Sequence, residues 1–146
     1  MELKDLKMDN LNDRRYRLME GFEIQTPLRL SAEVVEAIKK KWMFALLDTN
    51  GVMSFKPGFC NNGTDWSKDT YLNTLAGLVH DFGCELREEG LLTKEQIRQV
   101  DDLFEEYLEK AVYESDKSEA YKTLAKARFA YMVAAVRLNT KIQFGA

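Results

Sequence analysis

His80 is the chain's single histidine, and the aspartate best placed to work with it, Asp101, follows 21 residues later. Both fall in segments of helical spacing, LAGLVHDFGCELREEG and TKEQIRQVDDLFEEYL, separated by only a couple of residues, so the two helices should lie antiparallel. His80 lies ten residues before Gly90, about 15 Å along the axis, and Asp101 lies eight residues after Thr93, about 12 Å back along the neighbour. The two side chains are therefore expected at similar height. Asp101 shares a face with Ile97, Phe104 and Leu108, which turns it inward, whereas Asp102 falls with Arg98, Glu105 and Glu109 on the wet face. A carboxylate in an apolar helical interface needs a partner, because an isolated buried charge costs several kcal/mol. His80 is the available one. A carboxylate on one ring nitrogen fixes the tautomer and leaves the other nitrogen to act as a general base toward water. Ala76, Gly77, Gly83 and Cys84 form a strip of small residues beside His80, expected to leave space above the imidazole. Asp81 leaves the helix about 100° further round and could meet a hard cation. Calcium takes six to eight oxygens, so a loop would have to add ligands; NNGTD, with Asn61, Asn62, Gly63 and Asp65, has the composition for that. A plainer reading stands beside this one: His80 as a satisfied core residue, Asp101 as its structural partner, and NNGTD as a connection.

The elements that must position these residues follow from pattern. Residues 1–20 mix Leu3, Leu6, Met8, Leu11, Tyr16, Leu18 and Met19 with many charges at imperfect helical spacing, and read as an N-terminal arm, weakly amphipathic or frayed. Residues 21–146 read as a single domain. Phe22, Ile24, Leu28 and Leu30 alternate as in a half-buried strand, with Pro27 assigning it to an edge. Ser31 caps a short helix carrying Val34, Val35, Ile38 and Trp42 and ending near Lys41. Two apolar runs flank Asp48, Thr49, Asn50 and Gly51, a hairpin signal. Residues 57–69, PGFCNNGTDWSKD, read as loop.

The HD-bearing helix is expected from a cap at Asp69 or Thr70 to a stop at Gly90, with Leu72, Leu75, Leu78, Val79, Phe82 and Leu86 as its buried stripe. The next opens at Thr93, where Gln96 completes a capping box, and ends near Glu114. ESDKSE forms a polar turn. The last helix carries Tyr121, Leu124, Ala125, Phe129, Met132, Val133 and Val136 as a core stripe. The fold class is thus α+β and mainly helical: an antiparallel helix pair bearing the HD motif, a small N-terminal β-hairpin or sheet, and a C-terminal helix.

Composition narrows the function classes. With 21 basic and 24 acidic residues the formal net charge is −3, with no basic block, which argues against nucleic acid as partner. No apolar run approaches the ~18 residues of a membrane span, and MELKDLKMDNLNDRR lacks a signal-peptide apolar core, so an intracellular soluble protein is expected. Cys60 and Cys84 form no metal-type spacing with His80, and reduced thiols are expected.

The stretch LAGLVHDFGCELREEG followed by QVDDLFEEYL resembles the HD helix and following helix of the phospholipase A(2) superfamily, above all its short prokaryotic members. His80, Asp81, Phe82 and Gly83 match the first motif, Asp101 and Phe104 the second. Over roughly residues 22–145 the chain also resembles a phage and prophage family of unknown function, with two short strands, a PxGFxTDxAS loop, an HD helix, an aspartate-bearing helix and a final YxAVRxFG-like segment. KPGFCNNGTDWS supplies Pro57, Gly58, Phe59, Thr64, Asp65 and Ser67, and YMVAAVRLNTKIQFG supplies Tyr131, Ala135, Val136, Arg137, Phe144 and Gly145, each with insertions. Cys84 stands where tyrosine usually follows HDFG, and the enzymes' calcium-loop cysteines are absent.

The phospholipase resemblance implies His80 as general base, Asp101 as its orienting partner and Asp81 as a calcium ligand. Water activated by His80 would attack the sn-2 ester of a phospholipid, with calcium stabilising the oxyanion. The phage resemblance implies a location in the host cytoplasm or the virion. It also carries a different expectation, a non-catalytic virion or accessory protein that uses the scaffold to bind a phage or host protein.

Overall fold

In the computed structural model of the chain, the described residues are 8–12, 15–61, 71–113 and 117–146. The order is β1 (Met8–Asn12), β2 (Arg15–Leu18), β3 (Phe22–Gln25), α1 (Ala32–Lys41), β4 (Ala45–Leu47), β5 (Val52–Phe55), β6 (Cys60–Asn61), α2 (Tyr71–Glu88), α3 (Lys94–Tyr113) and α4 (Glu119–Phe144). The strands form two three-stranded antiparallel sheets, β1-β2-β6 and β3-β5-β4, and the four helices make up most of the rest. The fold is α+β and mainly helical, as the pattern predicts.

Local signals set most element boundaries. β3 lies at a sheet edge, and the alternation seen in the sequence continues past its last paired residue, with Ile24, Thr26, Leu28 and Leu30 all buried. Pro27 lies in this unpaired extension, where its missing N–H removes no ladder bond. Ser31 caps α1 by accepting from the Val34 N–H, and Trp42 ends it near the predicted Lys41. The β4–β5 turn is held by Asp48, whose Oδ1 accepts from the N–H groups of Asn50 and Val52 at 2.9 Å each. Gly51 closes it at φ +85°, and a Cβ there would lie 2.3 Å from the Leu28 carbonyl oxygen, so glycine is required on both counts.

Three parts of the sequence reading change. The N-terminal arm carries two paired strands rather than helical structure: β1 pairs β2, β2 pairs β6, and Leu18 is part of the core. Backbone pairing needs no apolar periodicity, which is why the imperfect spacing concealed it. Within the expected loop 57–69, Cys60 and Asn61 form β6 against Tyr16 and Arg17. Residues 62–69 of that loop, including Asp65, and the proposed caps Asp69 and Thr70 lie outside the described residues. On α4, Phe129, Met132 and Val133 are buried as expected, but Tyr121 and Leu124 face solvent.

The sheets fix the rotation of α2. Phe55 of β5 stacks on Phe22 at 5.1 Å between ring centroids and meets Phe59 and Phe82 edge-on at 4.9 and 5.8 Å. Trp42 also meets Phe82 edge-on and donates its indole N–H to Glu85 at 2.8 Å, tying the end of α1 to α2. Phe82 follows His80 by two residues, about 200° of helix rotation, so anchoring Phe82 in the aromatic cluster turns His80 to the far side, toward α3.

The C-terminal end of α2 and the start of α3 are as the sequence implies. The N–H groups of Gly90 and Leu91 bond to the carbonyls of Arg87 and Leu86, a Schellman-type close. Thr93 and Gln96 make both bonds of the capping box, 2.9 and 3.2 Å, and the Gln96 amide also donates to the Arg29 carbonyl at 2.7 Å. α2 and α3 approach closely at Gly83, where a Cβ would sit 2.3 Å from Val100 Cγ1 and 2.9 Å from Cγ2. Gly83→Ala therefore forces the helices apart, and we expect a loss of about 1–3 kcal/mol in urea unfolding. An unchanged midpoint would mean that Val100 yields freely. On the outer side, Arg137 of α4 bonds Asp102 at 2.9 Å and also Glu105, clamping α4 onto α3.

Candidate functional site

The site is built where α2 crosses α3. His80 Nε2 lies 3.2 Å from Asp101 Oδ1, uniting the two residues expected to meet. Asp101 is 1% exposed, flanked on its own helix by buried Ile97, Phe104 and Leu108, whereas the His80 side chain keeps 14% exposure. The imidazole thus keeps some contact with solvent while the carboxylate is buried. The Phe104 ring lies against the imidazole at 4.7 Å and 41°.

The space expected beside the imidazole is occupied. Gly83 serves the approach of Val100 rather than an opening, and Cys84 Sγ lies 3.6 Å from Nδ1 and 3.7 Å from Nε2. Those near-equal distances place the sulfur against the ring, shared between the nitrogens, not aimed along one lone pair. Both cysteines are free thiols.

Sequence reasoning missed the charge on the other side of Asp101. Arg87 Nη1 lies 3.9 Å from Asp101 Oδ1 and donates to Thr140 Oγ1 at 2.7 Å, and its guanidinium sits 4.7 Å over the Phe144 ring. Arg87 and Thr140 are both buried, and among the described residues Arg87 Nε has no hydrogen-bond partner. A line of polar groups therefore runs Cys84, His80, Asp101, Arg87, Thr140, joining α2, α3 and α4. The signal for Arg87 was its position: seven residues after His80 and three after Cys84, on the same face of one helix. Thr140 had no local signal, because its role depends on how α4 docks.

These neighbours set the imidazole's charge. Burial disfavours the cation, but hydrogen bonding to Asp101 and the Cys84 sulfur outweigh it, and the His80 pKa is pushed up from 6.5 to about 9. At neutral pH the ring is an imidazolium that donates Nε2–H to Asp101. On deprotonation Asp101 retains that proton on Nε2, so Nδ1 is the nitrogen that becomes a base.

Asp81 is half-buried on α2 and engaged in interactions of its own. Among the described residues no cluster of three or more His, Cys, Asp or Glu could hold a metal ion. Asp81 alone supplies too few oxygens for calcium; Asp65, its expected co-ligand, lies outside the described residues. A separate groove of about 350 Å³ runs between α3 and α4, floored by Leu108, Val112, Phe129 and Val133 and edged by Glu109 and Lys126. Among the described residues, no helix is long and apolar enough to cross a membrane. No protein-family model, curated protein or solved structure matches the chain.

Proposed function

We propose that the chain is a phage-type hydrolase of phospholipase A(2)-like kind, acting on the ester of a phospholipid or related lipid in the host cytoplasm or at the virion. The observation that carries the reading is the 3.2 Å contact of His80 Nε2 with the buried Asp101 carboxylate, in an imidazole that keeps 14% exposure. In the neutral ring, Nδ1 takes a proton from water as its oxygen bonds to the carbonyl carbon. The ester C–O bond then breaks, and the proton passes to the leaving alcohol. Asp101 holds Nε2–H throughout and stabilises the imidazolium that forms. Calcium, if bound, would be held by Asp81 and Asp65 and would supply Lewis acidity at the carbonyl.

Only neutral His80 can start this sequence, and its pKa of about 9 makes that form scarce at pH 7. We expect hydrolysis of phospholipid vesicles to rise about tenfold per pH unit from pH 6 and to level off near pH 9, measured with calcium and with chelator. A profile flat across that range would remove His80 as the base.

A second reading is favoured by Arg87. Because Asp101 faces both His80 and Arg87, and Arg87 reaches Thr140, the same groups brace three helices without any chemistry. On this reading the chain is a non-catalytic virion or accessory protein that binds a phage or host protein. Absence of turnover at every pH, with stoichiometric copurification with particles, would select it.

A further inference from the structure

α4 is apolar on both sides. Phe129, Met132 and Val133 face the core, yet Leu124, Tyr131, Leu138 and Ile142 are 73, 68, 59 and 74% exposed, and Tyr121 is 44% exposed. Leu124, Tyr131 and Leu138 recur every seven residues, and Tyr121, Arg128, Ala135 and Ile142 occupy the alternate positions of the same heptad, three residues before or four after them. Exposed Ala127 and Ala134 border this seam, leaving room for a close helix neighbour. The helix thus has a second apolar face beyond the one it gives the core, and that face reaches solvent from Tyr121 to Ile142.

We propose that this face of α4 is the contact between two copies of the chain, packed antiparallel about a two-fold axis near Tyr131. Area supports a second copy. At about 200 Å² for a large side chain in the open, the five exposed residues present roughly 600 Å², and a symmetric pair would bury about 1,200 Å², within the range of stable interfaces. Tyr131 stands at the middle of the 26-residue helix, so a two-fold there overlaps both copies over their full length and sets Leu124 opposite the second copy's Leu138.

Charge selects the direction. α4 carries Lys122, Lys126, Arg128, Arg137 and Lys141 against the single acid Glu119. A parallel pair would set Arg128 against Arg128 within the seam and Lys141 beside Lys141, which is unfavourable. The antiparallel pair places Arg128 opposite Ala134 and brings Lys141 alongside the second copy's Glu119.

The test is sedimentation velocity on the full chain at 1–100 µM for wild type, Leu124→Glu/Leu138→Glu and, as a milder variant, Tyr131→Arg, with far-UV circular dichroism to establish folding. A wild-type dimer that becomes a folded monomer in either variant supports the contact. A wild-type monomer, or a dimer that persists in both folded variants, overturns it. Direction is read in a Cys60→Ser background by oxidising Leu124→Cys alone and mixed with Leu138→Cys. The antiparallel pair holds the two Leu124 positions about 21 Å apart along the axis, beyond disulfide reach, so only the mixture cross-links. Efficient cross-linking of Leu124→Cys alone overturns the antiparallel arrangement.

Discussion

Under the proposed hydrolase reading, His80→Gln is expected to abolish ester turnover to within background and, in the same protein, to flatten the dependence of stability on alkaline pH. The first effect follows from removing the one group in the site able to take the proton from water, a contribution of about 10²–10⁴ in rate. Glutamine keeps a polar side chain of similar reach near Asp101, so loss of activity reports chemistry rather than collapse. The second effect comes from linkage. The folded pKa of His80, about 9, lies above its ordinary 6.5, so the folded state holds this proton more tightly than the unfolded chain. The stabilisation is complete below about pH 6.5 and is lost as pH rises through 9; integrated, it amounts to about 3 kcal/mol. Urea unfolding at pH 6 and pH 10 should show wild type losing about that much more than His80→Gln. Equal losses would mean that the imidazole is not held protonated by Asp101 and Cys84. Retained turnover with altered stability would place the pair in the scaffold alone.

How much of this was legible in the sequence depends on the range of the interactions involved. Ser31, the Thr93 and Gln96 box, and Asp48 through Gly51 act within a few residues, and each sets the boundary that its type predicts. The meeting of His80 and Asp101 was also legible, because the short connection fixes both the direction of α3 and the height of each residue on it. What could not be read depended on distant partners. The pairing of β2 with β6 joins segments some 44 residues apart through backbone groups, and Tyr16 to Asn61 carries no side-chain pattern that announces it. The use of Gly83 as the contact for Val100 looks in sequence like open space, since a missing side chain marks equally a void and a close approach. The seam on α4 was hidden by the same logic: Leu124 fits a core stripe by spacing, and only the docking of Phe129 and Val133 shows which apolar face the domain uses.

Asp101→Ala should be the most destabilising single change in the helical half of the molecule, about 3–5 kcal/mol in urea unfolding at pH 7. The reason is what it leaves behind. The Asp101 carboxylate is buried between the His80 imidazolium and the Arg87 guanidinium, 3.2 Å from one and 3.9 Å from the other. Removing it strands the buried Arg87 cation, takes away the main group that holds the His80 proton against burial, and empties the space the carboxylate filled, costs that far exceed the loss of one surface ion pair. The same argument predicts the remedy. Replacing the whole group by apolar residues of similar volume, His80→Leu with Asp101→Leu and Arg87→Met, removes every charge that needed compensation and should recover most of the stability lost in Asp101→Ala. The triple variant would lack turnover under the hydrolase reading, so stability and activity separate in one protein. A triple variant as unstable as Asp101→Ala would show that the packing of Phe104 and Phe144 around the polar line, rather than its charge balance, holds α2, α3 and α4 together. A stable Asp101→Ala protein would mean that Arg87 finds water or another partner, and the orienting role assigned to Asp101 would fall with it.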